Sequence, residues 1–430
     1  NANAPTTLNP FATIADLGGG GASGIFGIAD ATGTYTYYAK LATAMLAAIP
    51  GQTIEMFADV VETQAVTVTL RDGVNINGNG HTYTLDTATT TTGLIDGGGG
   101  GIVMNLTNIT LVRKGAGAGI MLGLSAAGNR IVGNSTFIKI ESNGSTGIGS
   151  YGGAVFSGSI TGFTVNCTGT SCTGISLVRG YIDNCSAVST GTGISTIIGN
   201  IINSYGESTG AGAGIQATNS GYVSNCSGKS NTGYGINAGV AIYNSMGYSS
   251  GNYGIYCPNS PLDNCNGISA STYGIWGYSK KINNCSAIST GGIAFFVQNG
   301  SANNCTAYST VNSAMRVHNI CTVHNCTLTT LSGANVIYTP NASAGASMKN
   351  CTIINEWNSS SGHAIEANVN LSVVNCAVKV TNASANCLFA SSAITMKYAN
   401  NSFEGATTPI NANVTQGIIN TQDNQGNILI

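Results

Sequence analysis

The chain has 430 residues, of which 60 are glycine and only 7% are charged, and its net charge is −2. Soluble domains carry about 25% charged residues, so the surface of this protein must depend on hydroxyl and amide groups. The sequence has no basic block and no run of about 18 apolar residues. We therefore predict that neither nucleic acid nor a membrane is a partner.

The N-terminal third contains one candidate helix. Residues 1–34 are rich in glycine and alanine, and we predict that they form a leader that attaches to a partner. A helix is predicted over about 36–48, with Leu41 and Met45 on one face and Pro50 at its end. Strands are expected directly afterwards, at about 53–57 and 66–70.

From residue 166 onwards the sequence repeats with a period of about twenty residues. One column of the repeat is an asparagine, usually followed by cysteine: Asn166, Asn184, Asn203, Asn225, Asn244, Asn264, Asn284, Asn304, Asn325, Asn350 and Asn375. A second column is an apolar residue, usually isoleucine after glycine: Ile120, Ile148, Ile175, Ile194, Ile215, Ile236, Ile255, Ile275, Ile293 and Met315. Two columns with one period indicate a solenoid, in which stacked coils bury the apolar column.

The asparagine column is interpreted as a row of tight bends. Asparagine tolerates left-handed backbone geometry, and its amide can bond to the next rung. Rungs lie about 4.8 Å apart, whereas a disulfide needs Cβ atoms about 3.8 Å apart, so we predict a ladder of buried thiols. Local bridges between Cys167 and Cys172 or between Cys321 and Cys326 stay open. A reduced ladder suits folding in a cytoplasm and later release, as for a virion component.

Several asparagines of the ladder also match the N-glycosylation sequon. We expect little glycosylation there, because a buried bend is a poor acceptor.

The stretch GVNINGNGHTYTL at 73–85 resembles a first coil of the pectin-lyase-like right-handed parallel β-helix superfamily. The resemblance covers residues 35–405. It implies an all-β fold, a single-stranded right-handed parallel β-helix with a short N-terminal capping helix. Residues 406–430 would then be a C-terminal tail or terminal strand. The superfamily includes pectate lyases, pectin hydrolases and phage tailspike glycosidases. Because such spikes are commonly homotrimers, the resemblance also implies a homo-oligomer.

Acidic residues give little support for catalysis. Glycoside hydrolysis needs two carboxylates about 5–10 Å apart, whereas Asp183 and Asp263 share a column and would lie roughly 19 Å apart. Most other acids are interpreted as isolated and solvated. The weak catalytic candidates are Glu356, His363 and Glu366, which lie around the longest loop, and ordinary loop chemistry is the alternative.

Three aromatic residues are candidate ligand-binding residues. Tyr256 and Trp276 follow the isoleucine of adjacent coils, so strand alternation turns both outward. They could stack on sugar rings, pack on a neighbouring subunit, or be ordinary surface aromatics above a structural ladder. Trp357 lies on the long loop. His318 and His324 have cysteines nearby, but their spacing matches no standard zinc site, and we predict no metal and no cofactor.

Three functional hypotheses remain. The first is a fibre or spike on the surface of a bacteriophage virion, which binds a bacterial surface polysaccharide without obvious catalysis and attaches to other virion proteins through its leader. The second is a polysaccharide lyase or depolymerase, with a site near Glu356 and Glu366 or between chains. The third is a secreted bacterial adhesin or surface filament at the cell surface. The lack of a carboxylate cluster favours the first over the second.

Overall fold

The structure is a computed structural model that describes residues 24–90, 92–96, 100–150, 157–278, 281–340, 345–358 and 362–416. The chain divides into two compact units, Asn1–Gly212 and Ala213–Ile430. Strands dominate both units, and Leu41–Ala47 is the one α-helix within these described ranges. No helix in the described ranges has the length and apolar character needed to cross a membrane.

The described part of the first unit begins with an antiparallel strand pair. Strand Phe26–Ala29 pairs with Tyr35–Tyr38, and the helix begins only at Leu41. The predicted helix start near residue 36 is therefore wrong, because the aromatic side chains of Tyr35–Tyr38 favour a strand and a partner strand is available. Leu41 and Met45 are buried as expected.

The later strands of the first unit pair in parallel from coil to coil. They are Thr53–Met56, Val60–Glu62, Val68–Leu70, Asn75–Asn77, Thr82–Asp86, Leu94–Asp96, Val103–Thr107, Thr110–Lys114, Ile120–Leu124, Ala127–Ile140, Thr146–Ser150, Ser157–Cys167, Thr173–Asp183, Ser186–Ser189, Ile194–Ile202 and Tyr205–Ser208.

The second unit consists of three parallel sheets, and each coil contributes one strand to each sheet. Sheet 1 contains Ile215–Ser220, Ile236–Ala238, Ile255–Cys257, Ile275–Tyr278, Phe295–Gln298, Met315–His318, Ile337–Thr339, Ile365–Ala367 and Leu388–Phe389. Sheet 2 contains Tyr222–Ser224, Ala241–Tyr243, Leu262–Asp263, Lys281–Asn283, Ser301–Asn303, Thr322–His324, Ala346–Lys349, Leu371–Val374, Ile394–Ala399 and Val414–Gln416. Sheet 3 contains Ser227–Ser230, Met246–Ser249, Asn266–Ser269, Ser286–Ser289, Thr306–Ser309, Thr327–Thr330, Thr352–Asn355, Ala377–Val380 and Ser402–Glu404.

The predicted fold class is confirmed, because each unit is a stack of coils with parallel pairing between successive coils. The predicted leader and tail reach beyond the described residues, which begin at Gly24 and end at Gln416. Strand Phe26–Ala29 lies within the leader, and strand Val414–Gln416 of the tail pairs with Ile394–Ala399. The division into leader, β-helix and tail stays a prediction.

In the second unit, each coil turns between sheets 2 and 3 at one asparagine with positive φ. These residues, with φ between 48° and 56°, are Asn225, Asn244, Asn264, Asn284, Asn304, Asn325, Asn350, Asn375 and Asn400. Their amides bond from rung to rung: Nδ2 of Asn264 donates to Oδ1 of Asn244 at 2.9 Å, and Asn304 donates to Asn284 at 3.3 Å. The asparagine ladder is confirmed. The premise that the bends are buried is wrong, since the side chains of Asn264, Asn284 and Asn304 are exposed.

In the first unit the ladder differs from the prediction at one position. Asn184 makes a bend with φ 49°, but the bend before it is made by Gly162 with φ 79°. Asn166 lies inside a strand, opposite Val188. The prediction that the ladder begins at Asn166 is therefore wrong, because the sequence pair Asn-Cys also occurs four residues past a bend.

The apolar column of the second unit is confirmed from Ile215 to Ile275, and it continues through Phe295, Met315, Ile337, Ile365 and Leu388. All of these residues are fully buried. The prediction that Ile293 belongs to this column is wrong, because Phe295 is the residue that pairs with Ile275. In the first unit Ile148 and Ile175 pair as predicted, but Leu122 takes the place predicted for Ile120.

All thirteen cysteines are buried and free. In the ladder, each thiol lies just past a bend and donates a hydrogen bond backwards, as Cys305 does to the carbonyl two residues earlier at 3.2 Å. Neither Cys167 with Cys172 nor Cys321 with Cys326 forms a disulfide. The predicted thiol ladder is therefore confirmed.

A third column, of buried hydroxyl groups, was not predicted. Ser249 Oγ donates to the carbonyl of Gly233 on the preceding coil at 2.6 Å, and it accepts the backbone N–H of Asn252 at 2.8 Å. Ser269 and Ser289 do the same on the next coils. This column closes the turn between sheet 3 and sheet 1, so it sets the position at which each strand of sheet 1 begins.

Asp96 contradicts the interpretation that the acidic residues are solvated. Its carboxylate is buried, and it accepts hydrogen bonds from the backbone and hydroxyl of Ser125, the backbone of Ala126 and the amide of Asn129, at 2.5–2.6 Å. Burial alone raises the pKa of Asp96, but these bonds outweigh it and the pKa is lowered. The buried charge is thus held by the four donors.

The ladder can be tested at Asn304. We expect Asn304→Ala to lower the free energy of unfolding by about 1–2 kcal/mol. Alanine is sterically strained in the left-handed backbone conformation of the bend, and it lacks the side-chain amide that forms hydrogen bonds to the neighbouring rungs. Urea denaturation measures this loss. Asn304→Gly is the matched control: it removes the same bonds but accepts the bend, so its loss should be smaller. Equal losses would contradict a role for backbone geometry at this position.

Candidate functional site

The outward surface of sheet 1 carries the candidate site. Because the apolar column points inward, the residue that follows it on each strand points outward. The strand register joins these residues into one outward column: Asn237, Tyr256, Trp276, Phe296, Arg316, Tyr338, Glu366 and Phe389. A second column enters sheet 1 beside it: Tyr234, Tyr253, Tyr273, Ile293, Ser313, Asn335, His363 and Asn386. These two columns are called the outward strip.

The rings of the first column stack on one another. The ring centroids of Tyr256 and Trp276 are 4.9 Å apart, and those of Trp276 and Phe296 are 5.2 Å apart with planes only 4° from parallel. Tyr234 stacks on the other side of Tyr256 at 5.2 Å. Stacking at about the rung spacing covers the ring faces, so ring edges and hydroxyl groups face the solvent.

The tyrosines of the second column pack against the first. Tyr253 contacts Tyr273 edge-on at 5.2 Å, and Tyr273 contacts Phe296 edge-on at 5.6 Å. Burial, and then the neighbouring tyrosines, raise the pKa of Tyr253 and Tyr256. Their hydroxyl groups therefore stay protonated at neutral pH and can both donate and accept hydrogen bonds.

Towards the C-terminus the strip becomes polar. Arg316 Nε donates to Nε2 of His318 at 2.9 Å, and its guanidinium lies over the ring of Tyr338, 5.8 Å from the centroid. His318 in turn contacts the ring of Phe296, with centroids 5.2 Å apart. Burial, and then the charge of Arg316, lower the pKa of His318, so the imidazole is neutral at pH 7 and accepts the hydrogen bond.

Glu366 is the acidic member of the strip. Asn335 Nδ2 donates to its carboxylate. Burial raises the pKa of Glu366, and the bond from Asn335 opposes this only in part. Among the described residues, no second acid contributes to this shift of the pKa of Glu366.

His363 belongs to the second column and contacts the neighbouring coil. Its ring stacks on Phe389 with centroids 3.9 Å apart and planes 10° from parallel. Its Nδ1 accepts the backbone N–H of Asn386 at 3.0 Å, so a neutral ring carries its proton on Nε2. Burial lowers the pKa of His363, which keeps the ring neutral at pH 7.

The strip unites some of the predicted site residues and leaves out others. Tyr256, Trp276, Glu366 and His363 belong to it. Glu356 and Trp357 do not, because they follow a strand of sheet 3; Trp357 is 43% exposed and its backbone N–H is bonded to Asn355. The catalytic and ligand-binding roles assigned to these residues stay predictions.

Sequence reasoning missed Phe296, Arg316 and Tyr338. Placing Ile293 in the apolar column moved the register by two residues on that coil, so Phe296 was not aligned with Trp276. The available signal was Ala294-Phe295, which replaces the Gly-Ile pair of the preceding coil. Within the described parts of the chain, no group of three or more His, Cys, Asp or Glu residues could hold a metal ion.

The raised pKa of Glu366 predicts a pH dependence of stability. The folded chain holds this proton more tightly than the unfolded chain, so the contribution of Glu366 is fully present at low pH and is lost as pH rises from about 4.5 through the folded pKa. In Glu366→Gln that loss should disappear, and the free energy of unfolding relative to wild type should rise between about pH 4 and pH 7. Urea denaturation at each pH measures it.

Asn335→Ala is the companion variant. It removes the bond that lowers the pKa of Glu366, so the loss of stability with rising pH should become steeper than in wild type. Parallel curves for wild type and Glu366→Gln would show that Glu366 does not titrate abnormally.

No protein-family model and no curated protein sequence matches the chain. Among solved structures, the A-module of mannuronan C-5 epimerase AlgE4 from Azotobacter vinelandii is similar over 80% of this chain and 90% of that one, with 12% identity and a TM-score of 0.26. A double mutant of the tailspike protein of E. coli bacteriophage HK620, in complex with a pentasaccharide, is similar over 86% of this chain and 73% of that one, with 13% identity and a TM-score of 0.29. The strand pairing itself identifies the fold as a parallel β-helix.

Proposed function

We propose that the protein binds a polysaccharide along the outward strip and serves as a receptor-binding fibre or spike on a virion surface. The observation that carries the proposal is the unbroken column in which the stacked rings of Tyr256, Trp276 and Phe296 continue into Arg316, Tyr338 and Glu366.

The chemistry of the strip suits a sugar chain. A sugar ring has apolar C–H groups and many hydroxyl groups, so it needs apolar surface beside hydrogen-bonding groups. The strip offers ring edges next to tyrosine hydroxyls, a guanidinium, an amide and a carboxyl group. Tyrosine, tryptophan and arginine are also the residues that contribute most to binding at protein surfaces. Six intervals from Tyr256 to Phe389, at about 4.8 Å each, make this column roughly 29 Å long, enough for several sugar rings.

The thiols support the virion assignment. Thirteen reduced, buried cysteines suit a chain that folds in a reducing compartment and leaves it already folded. In this proposal segment 1–34 attaches the β-helix to other virion proteins, and the fibre assembles as a homo-oligomer. A secreted adhesin would use the same strip but would fold in an oxidising compartment.

A depolymerase is the second candidate, and Glu366 is the observation that favours it. A carboxyl group with a raised pKa can act as a general acid. Hydrolysis also requires a second carboxylate about 5–10 Å away, and Glu366 is the only acid among the residues of the strip. We therefore favour binding without cleavage.

Trp276 tests the binding proposal. We expect Trp276→Ala to weaken binding to the recognised glycan about 30-fold, or ~2 kcal/mol, because it removes the central ring of the stack. Trp276→Phe should keep most of the affinity. The measurement is binding of the full chain to an array of bacterial capsular and lipopolysaccharide glycans, followed by titration of the glycans that are bound.

Tyr308→Ala is the matched control, since Tyr308 is a half-exposed aromatic residue on sheet 3 and outside the strip. It should bind like wild type. Glycan binding that survives Trp276→Ala unchanged would overturn the proposal. Gel electrophoresis of the same mixtures separates the two candidates, because shortened chains that disappear in Glu366→Gln would establish a depolymerase.

Thiol titration tests the compartment. The chain purified without reductant and unfolded in denaturant should give thirteen reactive thiols. Mostly paired cysteines would instead support secretion and the adhesin hypothesis. The fully reduced chain is the control for complete reaction.

A further inference from the structure

We propose that Arg316 forms an oxyanion subsite within the outward strip, so that the recognised glycan carries a carboxylate or phosphate group at this point. The inference rests on the proposed function, because it names the chemical class of the ligand for the same strip.

Arg316 lies in the middle of the strip. It follows the fully buried Met315, so its side chain points outward, and the register places it between Phe296 and Tyr338 on the adjacent rungs. Each of these neighbours is about 4.8 Å away along the column. A sugar chain that lies along the rings of Trp276 and Phe296 would therefore meet the guanidinium next.

Two contacts hold the guanidinium in place and leave part of it unused. The Nε–H group donates a hydrogen bond to His318, and the guanidinium carbon lies over the ring of Tyr338. Arginine has five N–H donors, and the four on Nη1 and Nη2 form no hydrogen bond within the described ranges. The protein thus orients the guanidinium but leaves its Nη1 and Nη2 donors available to a ligand.

No carboxylate neutralises Arg316 within the described parts of the chain. The nearest acid of the column is Glu366, two rungs or roughly 9.6 Å further on, and it is bonded to Asn335. Three lysines, by contrast, are paired with acids: Lys114 with Asp86, Lys139 with Glu141 and Lys379 with Glu404.

His318 orients Arg316 through Nε alone, so the Nη1 and Nη2 donors remain available. It is neutral and contributes an acceptor without a negative charge, so it positions Arg316 without neutralising it. A planar guanidinium in this state matches the two oxygens of a carboxylate or phosphate, which it binds through paired N–H bonds. The partly buried ring environment lowers the local dielectric and strengthens that attraction.

The competing explanation is purely structural: Arg316 could link neighbouring rungs through His318 and Tyr338 and bind nothing. That role predicts a loss of stability on substitution but no effect on which glycan is bound. The preference between charged and neutral forms of one polymer therefore distinguishes the two roles.

The experiment uses the full chain and three probes: a polyuronate oligosaccharide, the same oligosaccharide with its carboxyl groups reduced to alcohols, and a sugar polymer linked by phosphodiesters. We expect one of the charged polymers to bind at least about tenfold more tightly than the reduced one, and the better charged polymer identifies the oxyanion. Arg316→Gln should lose that preference, so that the charged polymer binds only about as tightly as the reduced one. Arg316→Lys should keep part of it, because it retains the charge without the fork.

Arg130→Gln is the matched control. It makes the same change of charge at an exposed residue of the first unit, and its preference should equal that of wild type. Thermal unfolding of each variant checks that it is folded. If Arg316→Gln does not fold, Arg316→Lys still tests the subsite.

Three results would overturn the inference: equal binding of charged and reduced polymers by wild type, a preference that survives in Arg316→Gln, or no binding of either charged polymer. These outcomes are separable from failure of the proposed function. If Trp276→Ala weakens binding of a neutral glycan while Arg316→Gln changes no preference, the strip binds glycans and only the oxyanion subsite is wrong.

Discussion

The left-handed bend at one asparagine in each coil is the constraint on which the second unit depends. Few residues adopt this backbone geometry at low cost, so the bend fixes the residue at which the chain turns from sheet 2 into sheet 3. Hydrogen bonds between the side-chain amides of successive asparagines, such as Asn264 to Asn244 and Asn350 to Asn325, connect the bends. Once the bends are aligned, every other column of the coil is aligned with them. The buried thiols and hydroxyls follow from this register.

The same register decides what the outward strip can do. Rings on adjacent rungs of a parallel sheet are separated by about the centroid distance of a stacked aromatic pair. Tyr256, Trp276 and Phe296 therefore cover one another's faces, as their centroid distances of 4.9 and 5.2 Å show. A ligand would meet their edges and the polar groups beside them rather than an open stacking face. The change from rings to Arg316 and Glu366 along the column gives the strip two chemically different ends.

The fold class was predictable because a period of about twenty residues with an asparagine column has few other physical explanations. The errors arose where a residue type occurs in two environments. Asn166 resembles a bend but lies in a strand, because Gly162 already provides the positive φ that the turn requires. Ile293 resembles the inward column but lies at the entry to sheet 1, since Phe295 fills the core position on that coil. Ile293 and Phe295 both fit an apolar column with a period of about twenty residues, and only the packing shows which of them is in the core.

The amino-acid sequence by itself determined the stacking of coils, the asparagine bends and the ladder of reduced thiols, because each depends on a local preference repeated at a fixed period. It also placed Tyr256 and Trp276 on the outer surface by strand alternation. The tertiary structure alone decided which side chains share the strip. Phe296, Arg316 and Glu366 belong to different coils with unequal loops between them, so their alignment is set by hydrogen bonds between rungs. The same holds for Glu356, which is near Glu366 in the sequence but lies outside the strip because the coil turns between them.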